Sequence, residues 1–188
     1  MMTIAKLVLG ASVYGSIALL QASGCSRTNH DGSQDHLFEV GREELIKSLG
    51  GDEVVAILRK PDKVTAALLV LPEEYDKITP DRFPLASSEL SVSSEAAARV
   101  ANAIVNPKTN LQSDPKACTP SYECRFTFIA GEDRVDLYLC FLCDMLAVYL
   151  NGEEAGGSHF DSIHHTLIRE AIALFPDNAE LRELATEE

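Results

Sequence analysis

Residues 133–150 read Asp133-Arg-Val-Asp-Leu-Tyr-Leu-Cys140-Phe-Leu-Cys143-Asp-Met-Leu-Ala-Val-Tyr-Leu150. The stretch is apolar and rich in β-branched and aromatic residues, which suit a pleated, half-buried surface. It divides into two runs. Arg134 to Leu142 reads as one strand and Met145 to Leu150 as the next, with Cys140-Phe-Leu-Cys143 where the chain turns. Gly131-Glu132 is a turn signal on one side, and Asn151-Gly152, the strongest short hairpin pair in the sequence, lies on the other. Glu123 to Ile129 has the composition of a further strand, so Tyr122 to Phe160 is read as a sheet built around residues 133–150.

Upstream the periodicity changes. Arg42 to Leu49 reads as a short amphipathic helix closed by Gly50-Gly51. Asp52 is placed to cap a helix from Glu53 to Arg59, and Lys63 to Leu71 reads as a strand ended by Pro72. The competing reading of this region is a hairpin with Val54–Leu58 and Val64–Val70 as its arms. Glu73 to Val92 is loop-like, and Ser93 is a good cap for a helix from about Ser94 to Val105. Lys108 to Thr119 is irregular. Towards the end, Asp161 is placed to cap a helix from Ser162 to Leu174, and Asp177 with Glu180 forms a capping-box pair for a last helix carrying Leu181 and Leu184. The fold class expected is α+β, an antiparallel β-meander packed against several helices, in one globular domain spanning 37–188.

The formal net charge of the 188 residues is −13, and Lys6 is the only charged residue before Cys25, so the chain from Cys25 onward is more acidic still. Nucleic-acid binding rests on neutralising phosphates with basic side chains, and this balance excludes it. With no Trp and few aromatics, a base-stacking platform is also missing. Beyond the N-terminus no apolar run reaches the ~18 residues that a spanning helix needs. The sequence carries no Gly-Xaa-Ser-Xaa-Gly, phosphate-loop or His-Glu-Xaa-Xaa-His pattern, so no catalytic residue and no cofactor is expected.

Residues 1–24 have the three parts of an export signal. Lys6 is the positive n-region, Leu7 to Leu20 the apolar h-region, and Ala22-Ser23-Gly24 the small residues beside a scissile bond. Cys25 comes next, and then a polar run, Ser26 to His36, that reads as a flexible tether. Ala22-Ser23-Gly24-Cys25 resembles the lipobox of bacterial lipoproteins, in which the cysteine becomes the lipidated first residue. Ala22 stands where that pattern prefers Leu. The resemblance implies palmitate-type acyl chains on Cys25, a membrane partner through that anchor, and a place in the cell envelope. Ser26 lacks the Asp signal for inner-membrane retention, so by the same resemblance the periplasmic side of the outer membrane is the favoured destination. The protein partner is unknown.

Cys118, Cys124, Cys140 and Cys143 remain as disulfide candidates, because exported proteins meet oxidising chemistry. With Gly131-Glu132 as a hairpin tip, Cys124 faces Leu139 and Glu123 faces Cys140, which puts Cys124 and Cys140 on opposite sides of the sheet. Cys118 approaches from an irregular segment and is expected to bridge Cys140 or Cys143. The alternative is a metal-binding or thiol-redox protein using Cys118, Cys140 and Cys143. Against it, Cys118 and Cys124 are spaced more widely than a usual zinc pair, and Cys140-Phe-Leu-Cys143 continues as strand rather than opening a helix. No metal ligand is therefore assigned. His159, His164 and His165 are not expected to converge, since adjacent helical residues point about 100° apart. Asp136 is expected on the exposed face of its strand.

Pro61-Asp-Lys-Val-Thr-Ala-Ala-Leu68, Cys118-Thr-Pro-Ser-Tyr-Glu-Cys124-Arg-Phe126 and Val135-Asp-Leu-Tyr-Leu-Cys140-Phe-Leu-Cys143 together resemble a group of uncharacterised bacterial exported proteins and lipoproteins. Its pattern is Val-Asp-x-x-x-Cys-Phe-x-Cys, followed by a strand and a Phe-Asp-initiated helix, which Phe160-Asp161 matches. The likeness runs from about Glu53 to the C-terminus. Positions 118, 140 and 143 correspond to its recurring cysteines, and Cys124 departs from it. The resemblance implies export and fold, and no chemistry. The expected function is that of a membrane-anchored, non-enzymatic interaction or structural module of the cell envelope.

Overall fold

The computed structural model describes residues 41–74, 79–106 and 118–186, all within one compact unit, Asp31–Glu188. The segment expected to be an export signal (1–24), Cys25 and the expected tether up to residue 36 lie outside the described residues. So do residues 107–117, most of the irregular stretch before Cys118.

Six antiparallel strands form one sheet in the order β2-β1-β3-β4-β5-β6. They are β1 (Lys63–Leu68), β2 (Leu90–Ser91), β3 (Cys124–Ala130), β4 (Asp133–Cys140), β5 (Met145–Leu150) and β6 (Glu153–His159). From β3 onward each strand pairs with the next, a meander joined by tight turns. Gly131 (φ 63°) takes the first loop position between β3 and β4, which a type II′ turn reserves for glycine. Asn151 and Gly152 (φ 53° and 87°) make the turn between β5 and β6, both in the left-handed region as a type I′ turn demands. The fold is α+β, as the alternation and turn signals imply.

Five helices are present among the described residues: α1 (41–48), α2 (Asp52–Arg59), α3 (Ser94–Ile104), α4 (His164–Leu174) and α5 (Ala179–Leu184). Residues 53–59 are helical, so the hairpin alternative for this region fails. Gly51 rather than Asp52 holds its N-cap position. After α1, the N–H of Gly51 bonds to Ile46 O at 2.8 Å and that of Gly50 to Lys47 O at 3.2 Å. This paired closure satisfies carbonyls that a helix end leaves unbonded. Ser93 caps α3 through Ala96 N at 3.2 Å, and Asn178, not Asp177, caps α5 through Leu181 N at 2.8 Å. Asp161 opens a short 3-10 turn ahead of α4 rather than capping it.

The main core lies between one sheet face and the helices. Phe126, Phe128, Val135, Leu137, Leu139 and Val148 alternate onto that face and meet Leu49, Leu58, Val100, Ile104, Leu167 and Leu181. Burying each such side chain contributes about 1.5–3 kcal/mol. The opposite face carries a smaller cluster in which Tyr138 packs edge-on against Tyr149 and Tyr122, and Tyr122 against Phe83. The described parts of the chain between β1 and β2 cross this second face, tied on by Ala86 N to Leu68 O of β1 at 2.8 Å and by an ion pair of Glu89 with Arg125 of β3.

That cover corrects one expectation. Asp136 is 3% exposed, not on an open face. Its carboxylate accepts from Thr127 Oγ1 at 2.5 Å and pairs with Arg134 Nε at 2.8 Å, with Arg125 Nε 3.9 Å away. A carboxylate so enclosed persists because it is paired and hydrogen-bonded.

β6 is the second departure. Its sequence, Glu-Glu-Ala-Gly-Gly-Ser-His, has no strand composition, yet it pairs along β5 with a bulge opposite Val148 and Tyr149. Glycine is required there because α1 ends against it: a Cβ on Gly156 would collide with the carbonyl oxygen of Ser48.

Candidate functional site: the cysteine-bearing end of the sheet

The β4–β5 turn gathers the cysteines and several titratable groups. β4 ends at Cys140, residues 141–144 form the turn, and Asp144 takes a left-handed backbone (φ 52°) before β5 begins. Because strand residues alternate, Cys124 (opposite Leu139) enters the helix-side core and Cys140 enters the cluster on the other face. Both are buried free thiols. The turn frees Cys143 from that alternation, and its sulfur stands at disulfide distance from Cys118, with Cα atoms 6.2 Å apart and 25 residues between them in sequence. That Cα spacing lies inside the roughly 4.4–6.8 Å a disulfide accepts. Of the two partners open to Cys118, the structure brings Cys143 to it and leaves Cys140 reduced.

Glu123, just ahead of β3, is the buried acid of this corner. Its Oε2 accepts from Phe141 N at 2.7 Å and its Oε1 from Ser121 Oγ at 3.0 Å. Burial dominates and pushes its carboxyl up to about 7, while those two hydrogen bonds pull the other way. Burial, with Glu123 beside it, also pushes the Cys140 thiol up to about 11. Burial raises Cys124 as well. A thiol reacts as thiolate, so both are held in their unreactive form near neutral pH.

His164 is buried where α4 starts, with Nδ1 2.5 Å from Asp144 Oδ1 and its ring stacked on Phe160. Such a carboxylate orients an imidazole as in acid–base catalysis. Here the other nitrogen, Nε2, is buried without a hydrogen-bond partner, and so is closed to a substrate. His165 is exposed, while His159 is buried on β6 with Nδ1 also unpartnered. Asp133, Asp136 and Asp144 bind Asn151, Thr127 and His164 respectively and do not meet. Among the described residues no three His, Cys, Asp or Glu side chains converge as a metal ion would need. No helix among them is long and apolar enough to cross a membrane.

The sequence reading missed Glu123 and the Asp144–His164 pair. Glu123 is marked only by lying opposite the Cys140 end of β4. The Asp144–His164 pair joins residues 20 apart through a turn whose geometry no local pattern announces. Compared with protein-family models, with curated proteins and with solved structures, the chain matches none.

Proposed function

We propose that the protein is a lipid-anchored envelope protein, acylated on Cys25, whose globular domain is a non-enzymatic interaction or structural module. One observation carries this reading. Cys25 comes directly after a basic residue, an apolar run and the small residues Ala22-Ser23-Gly24, and directly precedes a polar tether. Acyl chains contribute about 0.8 kcal/mol per buried methylene, so two or more chains on one residue anchor a protein stably. A disulfide between Cys118 and Cys143 is part of the proposal. Their approach supports it, since cysteines that can bridge suit an oxidising compartment. The outer membrane, periplasmic side, is the proposed address, and the likeness to exported proteins with a Val-Asp-x-x-x-Cys-Phe-x-Cys pattern points the same way. The thiol-redox reading is the weaker one, because Cys140 is buried and protonated beside a carboxyl.

Mass analysis of the N-terminal peptide of the mature protein tests the anchor. The expected peptide starts at Cys25 and carries acyl chains, and Cys25→Ala abolishes both the acylation and the membrane retention of the cleaved form. A mature chain cut elsewhere with an unmodified Cys25 overturns the proposal.

A further inference from the structure

Between the end of α2, the start of β1 and the flank of α3 lies a cleft of about 520 Å³. It exists because α3 turns Ala97, Ala98 and Ala101 towards it, and these side chains are too short to fill the space. Leu58, Val64 and Val92 complete an apolar floor. The rim is basic. Arg59, Lys60 and Lys63 all line the cleft and all are exposed.

In a chain of net charge −13, three cations within five consecutive positions invert the local sign. The single carboxylate of the lining, Asp62, is engaged elsewhere, its Oδ2 accepting from Gly131 N at 2.8 Å. Glu95, in the first turn of α3, is held by its own backbone N–H and by the hydroxyls of Ser93 and Ser94. Arg99, Arg125 and Arg134 each have a carboxylate partner. Among the described residues none stands against Arg59, Lys60 or Lys63. Basic residues at a helix C-terminus complement its dipole, which accounts for Arg59 and Lys60. It does not account for Lys63, which opens β1, or for the alanine-floored space beside all three.

We propose that this cleft binds a phosphate ester with a short apolar substituent, the phosphoryl oxygens between Arg59, Lys60 and Lys63 and the apolar part over Ala97, Ala98 and Ala101. A guanidinium offers a fork of donors that matches phosphate oxygens, and the two ammonium groups add point charge, so the rim suits a dianion. The apolar floor gives such a ligand an advantage over inorganic phosphate. The ester is either a soluble metabolite or the headgroup of an anionic lipid. The site belongs to the globular domain and does not depend on the acylation of Cys25.

Calorimetric titration of the purified full chain with hexyl phosphate tests the proposal, with inorganic phosphate and hexyltrimethylammonium as comparisons. Co-sedimentation with phosphatidylcholine vesicles containing phosphatidic acid forms the second arm. Saturable binding of hexyl phosphate, tighter than inorganic phosphate and absent for hexyltrimethylammonium, is expected. The exposed double substitution Lys60→Gln/Lys63→Gln weakens it about tenfold or more at an unchanged melting temperature. Ala98→Leu, which fills the floor from its exposed side, weakens hexyl phosphate and leaves inorganic phosphate unchanged. Lysine-dependent binding of the vesicles alone assigns the phosphate to a lipid headgroup, and of hexyl phosphate alone to a soluble ester. No saturable binding in either arm, or binding indifferent to the lysine substitutions, overturns the proposal.

Discussion

The backbone N–H of Phe141 donates to Oε2 of Glu123 at 2.7 Å, across the end of the β3–β4 pair. β4 has already ended at Cys140, so the N–H of Phe141 has left the strand ladder as the chain turns. The carboxyl of Glu123 takes the place of a strand partner there, and so holds the turn that carries Cys143 towards Cys118. A buried group in that position has to be satisfied, and a carboxyl oxygen accepts the bond whether or not it is protonated.

This makes stability depend on pH through Glu123. Burial raises its carboxyl from 4.5 to about 7 in the folded protein. Between those values the folded state binds more protons than the unfolded one, so stability falls as pH rises through that window. The loss amounts to about 3 kcal/mol by the usual conversion of a pKa shift. Glu123→Gln keeps an acceptor for Phe141 N and cannot ionise. Urea unfolding at pH 5, 6, 7 and 8 should show the wild type losing stability relative to Glu123→Gln as pH rises. A difference between the two that is constant across this range would refute the assignment.

The proposed Cys118–Cys143 disulfide makes a separate prediction. A cross-link spanning 25 residues removes loop-closure entropy from the unfolded chain, and is expected to stabilise by about 3 kcal/mol. Cys118→Ala and Cys143→Ala should each lower stability by about that much, and the double variant should lose no more than either single one. Thiol titration adds an independent readout. Cys124 and Cys140 should resist alkylation in the native protein and react after denaturation, with Cys118 and Cys143 joining them only after reduction. Four reactive thiols besides Cys25 in denatured, unreduced protein would rule out the bond.

The polar row on the second sheet face yields the third prediction. Asp136 lies between Arg134 and the largely buried Arg125, whose Nε has no hydrogen-bond partner. Asp136→Asn keeps the shape and removes the charge, leaving Arg125 buried with the more exposed Glu89 as its remaining carboxylate partner. Breaking a buried pair from one side costs about 3–5 kcal/mol, and a loss near the lower end is expected because Arg134 is half-exposed. Arg134→Gln, on the solvent side of the same pair, leaves Asp136 its bond from Thr127 and Arg125 Nε at 3.9 Å, and should lose less than Asp136→Asn. Chemical denaturation of both variants decides it, and equal losses would place the charge balance elsewhere.

These residues mark what the sequence made legible. The register of β3 against β4 could be read because Gly131 fixes the turn, and alternation then places Cys124 opposite Leu139 and on the other side from Cys140. Helices α1 and α3 announced themselves through Gly50-Gly51 and Ser93, whose conformations and side chains close helix ends. The burial of Asp136 was hidden because its cover, the chain between β1 and β2, has no periodicity and is held by contacts such as Glu89 with Arg125. The partner of Cys118 stayed open because both Cys140 and Cys143 lie near one turn, and only the end of β4 at Cys140 separates them. The basic cleft is spread over α2, β1 and α3, and no single stretch contains both its rim and its floor.

The composition of β6 does not mark it as a strand, although Asn151-Gly152 announces the hairpin, for a reason that can be tested directly. Composition marks strands by side chains that pack on a pleated surface, and here the strand has given up side chains so that a helix end can approach. A Cβ on Gly156 would strike the carbonyl oxygen of Ser48, a backbone atom that no rotamer change can move aside. Gly50 faces the same contact from the other side, where a Cβ would come within 2.6 Å of Ala155 Cβ, and its φ of 98° already favours glycine. Gly156→Ala should therefore destabilise by about 2 kcal/mol or more, in the range of overpacked cores. Gly41→Ala, with nothing within 4 Å of the new methyl, should be neutral or slightly stabilising, since alanine favours the helix in which residue 41 lies. Melting curves of the two variants separate the effect of contact from that of glycine itself. If Gly156→Ala melts with the wild type, α1 does not rest on β6 in the way that explains this strand's composition.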